Sequence, residues 1–170
     1  FSSTKINNTS KSKLIIDNFK VQEIPVLAKI LTLASLQGIA DLLTGEGVRF
    51  TDFEMIYSNK GSLMTIDEIY AIGPAISIMM EGYVESQKIV SLRGTLVPAT
   101  TINRTISSIP LLGNLLVGKK VGEGVFGVSF KMKGPPKDIK TTVNPIKTLT
   151  PRFVTRTIEK MKDIKEKNKN

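Results

Sequence analysis

Most side chains here that could do chemistry are carboxylates: Glu46, Asp52, Glu54, Asp67, Glu68, Glu81 and Glu123 stand in the body of the chain. Two such groups held close together supply a general acid and a general base, and several together supply oxygen ligands for a hard cation. None of the seven has neighbours that mark an acid/base pair. Asp67-Glu68 lacks the oxygen-rich loop that a calcium ion requires. These carboxylates read as residues of solvated strand edges. The chain has no His, which removes the commonest general base and metal ligand, and no Cys, which excludes disulfides and thiolate metal centres. Lys119-Lys120 lies beside Gly122 and Gly124, a combination able to grip a phosphate through charge and backbone N–H groups. The GxxxxGK[ST] order of a phosphate loop is missing, so this stretch reads first as tight turns between strands. Ser58-Asn59-Lys60 and Ser10-Lys11-Ser12-Lys13 do not support a Ser/Lys hydrolase. Composition points away from catalysis and implies no cofactor and no metal; a carboxylate enzyme stays as an alternative.

The elements that would carry these residues follow from the period of the apolar positions. Residues 1–12 are polar and read as a linker or the end of a preceding strand, in a chain that starts at Phe1 and reads as the downstream part of a longer protein. Leu14–Val21 is a short strand. Pro25 opens a helix that runs to about residue 44, where Gly45 and Gly47 end it. From Val48 the period is two. Val48 and Phe50 fall out of phase with Phe53, Met55 and Tyr57, which predicts a bulge near Thr51-Asp52. Asn59-Lys60-Gly61 predicts a hairpin turn. Strands over Ser62–Ile72, around Ile76, Ile78 and Met80, and around Val90, Leu92 and Leu96 make an antiparallel meander. The run from Thr100 to Val117, broken by Pro110 and Gly113, is a short helix or an apolar loop. Phe126, Val128, Phe130 and Met132 alternate again, and Ile139, Thr141 and Val143 form a last strand. From Pro151 the period is helical.

The fold class is therefore α+β and sheet-dominated: a curved antiparallel β-groove with one helix near residues 25–44 and a C-terminal amphipathic helix. Residues 13–150 form the groove domain and 151–170 a basic helix and tail. Ile76, Ile78, Met80, Val90, Leu92, Leu96, Phe126, Val128, Phe130 and Met132 line one apolar face. That face is either an ordinary core packed on the helix or an inner wall left open for acyl chains. No window of 18 residues is free of charge, so no transmembrane span is expected.

The charge is uneven. Residues 1–130 carry 12 basic and 11 acidic side chains, whereas residues 131–170 carry 12 and 4. The basic end suits an anionic surface. Its helix offers Phe153, Ile158 and Met161 to a membrane or closes one end of the sheet, and Leu111, Leu112, Leu115 and Leu116 are further membrane-contact candidates. Nucleic acid is disfavoured, because the basic residues are not interleaved with aromatics.

Four segments together resemble the C-terminal region of the AsmA-like protein family of Gram-negative bacteria, in its alphaproteobacterial form. They are Pro25–Phe50, Gly73–Glu85, Arg93–Gly118 (RGTLVPATTINRTISSIPLLGNLLVG) and Gly122–Phe153 (GEGVFGVSFKMKGPPKDIKTTVNPIKTLTPRF). The resemblance implies a cell-envelope protein anchored in the inner membrane, with most of its chain in the periplasm. It implies a long apolar β-groove that carries phospholipid between the inner and outer membranes, with this region at the far end. No catalytic residue is implied. The partners are then phospholipid, a membrane surface and an outer-membrane protein. The chief alternative is a scaffold that docks an outer-membrane protein and passes no lipid. The Lys-rich tail after Met161 departs from the family pattern.

Overall fold

Alternating apolar residues form the strands, and each strand runs antiparallel to its predecessor. In the computed structural model, β1 (Ser2–Ile6), β2 (Thr9–Val21), β3 (Val48–Lys60), β4 (Leu63–Ile72), β5 (Ile76–Glu85), β6 (Ile89–Pro98), β7 (Gly127–Gly134) and β8 (Lys140–Ile146) form one antiparallel sheet in sequence order. The structure describes residues 1–99, 127–146 and 150–167, with side chains described through Lys160. The sheet is open and curled. Phe126, Leu111, Leu112, Leu115, Leu116 and the Lys119-Lys120 pair lie outside the described residues, and so does the Met161 side chain.

The polar start of the chain is a hairpin. Ile6 pairs with Thr9, and Asn7 and Asn8 between them both take positive φ, as a tight hairpin turn requires. At the next hairpin Lys60 pairs with Leu63, and Gly61 (φ 59°) supplies the left-handed residue.

The expected single helix over 25–44 is two. α1 (Pro25–Leu33) ends before α2 (Gln37–Thr44) begins. Ser35, at φ 58°, closes α1: its N–H donates to Thr32 O, and the Leu36 N–H donates to Leu31 O. This is a Schellman ending, with Leu36 packed on the cluster that buries Leu31. Serine stands where glycine is usual, so the sequence carries no stop signal there. Ser35→Gly removes a left-handed penalty of about 1 kcal/mol. The variant is expected to melt a few degrees higher in a thermal scan.

The bulge expected near Thr51-Asp52 is not a register shift. Asp17 pairs with Asp52 and Phe19 with Phe50 in one unbroken register. The phase change is nevertheless real. Phe50 and Phe53 both meet Phe19, at 5.4 and 5.8 Å between ring centroids, and Asn18 takes φ 52° beside them. The register shifts instead on β4, between Ile66 and Ile69 against β5 and at Ile56/Tyr57 against β3. The extra residue sits at Asp67-Glu68, which turns Glu68 onto the outer face.

The curl gives the sheet an inner and an outer face. α1 and α2 fill part of the inner face. Ile30, Leu31, Ala40 and Leu43 pack with Val48, Phe50, Ala71, Ile76, Leu96, Val128, Phe130 and Met132. Gly94 lets Phe130, its partner on β7, lie across β6; a Cβ there would meet the Phe130 ring at 2.5 Å. α3 (Pro151–Lys167) lies on the outer face. Thr150 caps it, accepting the Phe153 N–H at 3.3 Å, and Pro151 follows where a missing N–H costs nothing.

Candidate functional site: two faces of a curled sheet

Five of the ten candidate groove residues are closed in. Ile76, Leu96, Val128, Phe130 and Met132 are all under one-tenth exposed and belong to the helix-packed core. Ile78, Met80 and Leu92 are half-buried at the margin of that core, and Val90 is half-buried outside it. The pairing places further apolar side chains on the same face: Met55 opposite Leu14, and Met64, Val84 and Val90 in one cross-strand row. These are half-buried and belong to neither core cluster. Ile16, opposite Phe53, is 38% exposed. The inner face is therefore filled under the helix pair and carries an uncovered apolar strip away from it. Sequence alternation found the face. It did not show where the helices stop covering it.

On the outer face, the structure overturns the reading as solvated edges for three of the seven carboxylates, while Glu46 and Asp67 are exposed as expected. Asp52, Glu54 and Glu68 are buried to about one-twentieth exposure. Successive turns of α3 bring Arg152, Arg156 and Lys160 over them. The Arg156 guanidinium donates to Glu54 Oε1 through Nη2 and to Glu68 Oε1 through Nε, each at 2.8 Å. Arg152 Nη2 lies 2.7 Å from Glu68 Oε2, and its Nη1 lies 3.2 Å from Glu81 Oε2. Lys160 Nζ is 3.6 Å from Glu54 Oε2 and 3.9 Å from Asp52 Oδ1, while Lys13 on β2 reaches Glu54 Oε2 at 3.3 Å. Burial pushes the Glu54 carboxyl up, but Arg156 and Lys13 outweigh it and hold the group below the usual carboxylate range. Burial likewise opposes the Arg156 charge, and the Glu68 and Glu54 carboxylates reverse the balance and raise its pKa. A carboxylate so held keeps no proton to donate near neutrality.

Phe153 is corrected too. It is 1% exposed, packed with Tyr70, Ile72 and Val97 beneath α3, and faces the sheet instead of a bilayer. Helical phase is the reason: Phe153, Thr157 and Lys160 share the buried stripe with Arg156 beside it, and Ile158 sits half-buried at its flank. The Tyr70 hydroxyl donates to Thr157 Oγ1, which donates to Phe153 O, both at 2.8 Å. The Arg156 guanidinium stands 5.6 Å over the Tyr70 ring. Burial pushes the Tyr70 phenol up to about 12, against the opposing Thr157 hydrogen bond. The signal available in sequence was charge complementarity: acids at alternate positions Asp52 and Glu54, and bases at four-residue spacing in Arg152, Arg156 and Lys160.

No family model, no curated protein and no solved structure matches this chain.

Proposed function

We propose that this chain is the C-terminal segment of an AsmA-like envelope protein, part of an inner-membrane-anchored chain in the periplasm. Its curled sheet shields phospholipid acyl chains in transit between the inner and outer membranes. The observation that supports this is the uncovered apolar strip of the inner face, from Ile16 and Met55 to Met64, Val84 and Val90. Each methylene laid on such a strip gains about 0.8 kcal/mol over water, with the headgroup left outside. The α1–α2 pair then acts as the stop at one end of the groove, which suits a terminal segment. The work is passive, and direction comes from outside the chain.

The same helix pair favours a second reading, a scaffold that docks an outer-membrane protein and carries no lipid. Photocrosslinking in the full-length protein separates the two. A photoreactive residue at Met55, Met64 or Met80 is expected to capture phospholipid, identified by mass spectrometry, and one at Thr142 on the outer face is not. Capture of protein alone at every inner-face position supports the scaffold and overturns the conduit.

A further inference from the structure

The outer face carries two charged halves, and only one is covered. Acids cluster across β3–β5 beneath the basic side chains of α3. On β6–β8 the sheet instead sets bases against bases. Arg93 pairs directly with Lys131, and Lys133 directly with Lys140. Like charges directly opposite one another destabilise an antiparallel pair. Glu81 relieves Arg93, at 2.7 Å, but shares its other oxygen with Arg152. Among the described residues no ion pair involves Lys131, Lys133 or Lys140, and all three are exposed. An open cleft of 570 Å³ runs beside them, lined among others by Thr65, Tyr83, Arg93, Lys131 and Lys133. Two like-charged rungs in succession, beside an open cleft that presents their bases and the Tyr83 ring, complement an anion.

The geometry points to this corner as a binding site for the phosphate headgroup of an anionic phospholipid, with Lys131 and Lys133 as its principal contacts. Tyr83, 39% exposed and in the same cross-strand row as Lys133 through Ser91, favours an amphiphile over free phosphate. The choice of lipid rests on the function proposed above, whereas the anion site rests on the charge pairing alone. Its position on the outer face places it apart from the acyl-chain strip, so it would hold the domain to a membrane surface instead of carrying cargo.

The test uses the whole chain and the variant Lys131→Thr/Lys133→Thr. Threonine suits a strand and removes both like-charge rungs. Without ligand the variant is expected to melt about 1–2 °C higher than the parent. Flotation with phosphatidylcholine vesicles containing phosphatidylglycerol is expected to show binding weakened about tenfold. Binding to pure phosphatidylcholine vesicles stays unchanged. Lipid capture at Met55 is expected to persist in the variant, so loss of the anion site and loss of the conduit are read separately. Unchanged binding to the anionic vesicles overturns the proposal, as does a lower melting temperature, which would make the lysines structural. Stabilisation of the parent by inorganic phosphate, with no difference between vesicle types, overturns the lipid assignment.

Discussion

Replacing Arg156 with leucine is expected to remove about 3 kcal/mol of folding free energy. The guanidinium is the shared partner of Glu54 and Glu68, and both carboxylates are 8% exposed at the side chain. Without it two buried charges face each other across β3 and β4, with Lys13, Lys160 and Arg152 left to compensate at the margins. The packing lost over Tyr70 adds to this. In a thermal scan near neutral pH the midpoint should fall by roughly 6–12 °C. The triple variant that also carries Glu54→Gln and Glu68→Gln should recover most of the loss, because no buried charge remains unpaired. A drop under about 1 kcal/mol would place the network among ordinary surface pairs. The pH dependence has a fixed sign. Glu54 has a lowered pKa in the folded state, so its contribution is complete above the ordinary carboxylate range. It is lost as pH falls through the folded value. Acid should therefore weaken the parent more than the triple variant.

Val128→Asp is expected to unfold the domain, whereas Leu92→Asp is expected to leave it folded. Val128 is 4% exposed within the helix-packed core, and an aspartate there has no basic partner in that cluster. A buried unpaired carboxylate costs several kcal/mol, comparable with the 5–15 kcal/mol stability of a typical domain. Leu92 is half-buried at the margin of the inner-face core, where a carboxylate reaches water. Circular dichroism and a melting curve decide the first outcome. The second variant should keep the parent's spectrum and lose about 1–2 kcal/mol. A folded Val128→Asp protein would mean that the helices do not seal this part of the inner face.

The contrast shows what alternation does and does not encode. Val128 and Leu92 read identically in sequence, as inward-facing residues of alternating strands. Their burial differs because α1 and α2 lie over one and stop short of the other, and that depends on tertiary packing. The strands themselves were legible because β-branched and aromatic residues recur at period two between Gly, Pro and Asn turns. The helix break at Ser35 was not, since a left-handed serine has no compositional mark. The bulge was misplaced because an apolar phase change marks a face reversal as readily as an inserted residue. Asp52, Glu54 and Glu68 looked solvated because burial of an acid depends on a partner, here about 100 residues downstream: Arg156 lies 102 positions beyond Glu54. The two halves of that network were each visible, and their meeting was not.

That separation along the chain has a consequence for synthesis. The sheet is a plain meander, so each strand pairs with the one made just before it. The clasp is different. At about 5–20 residues per second, Glu54 waits on the order of 5–20 s before Arg156 leaves the ribosome. Throughout that interval the outer face of the growing sheet is bare. An apolar face in that position would invite other nascent chains. Tyr70, Ile72 and Val97 form such a patch on it, and Asp52, Glu54, Glu68 and Glu81 beside them keep it solvated until α3 covers both.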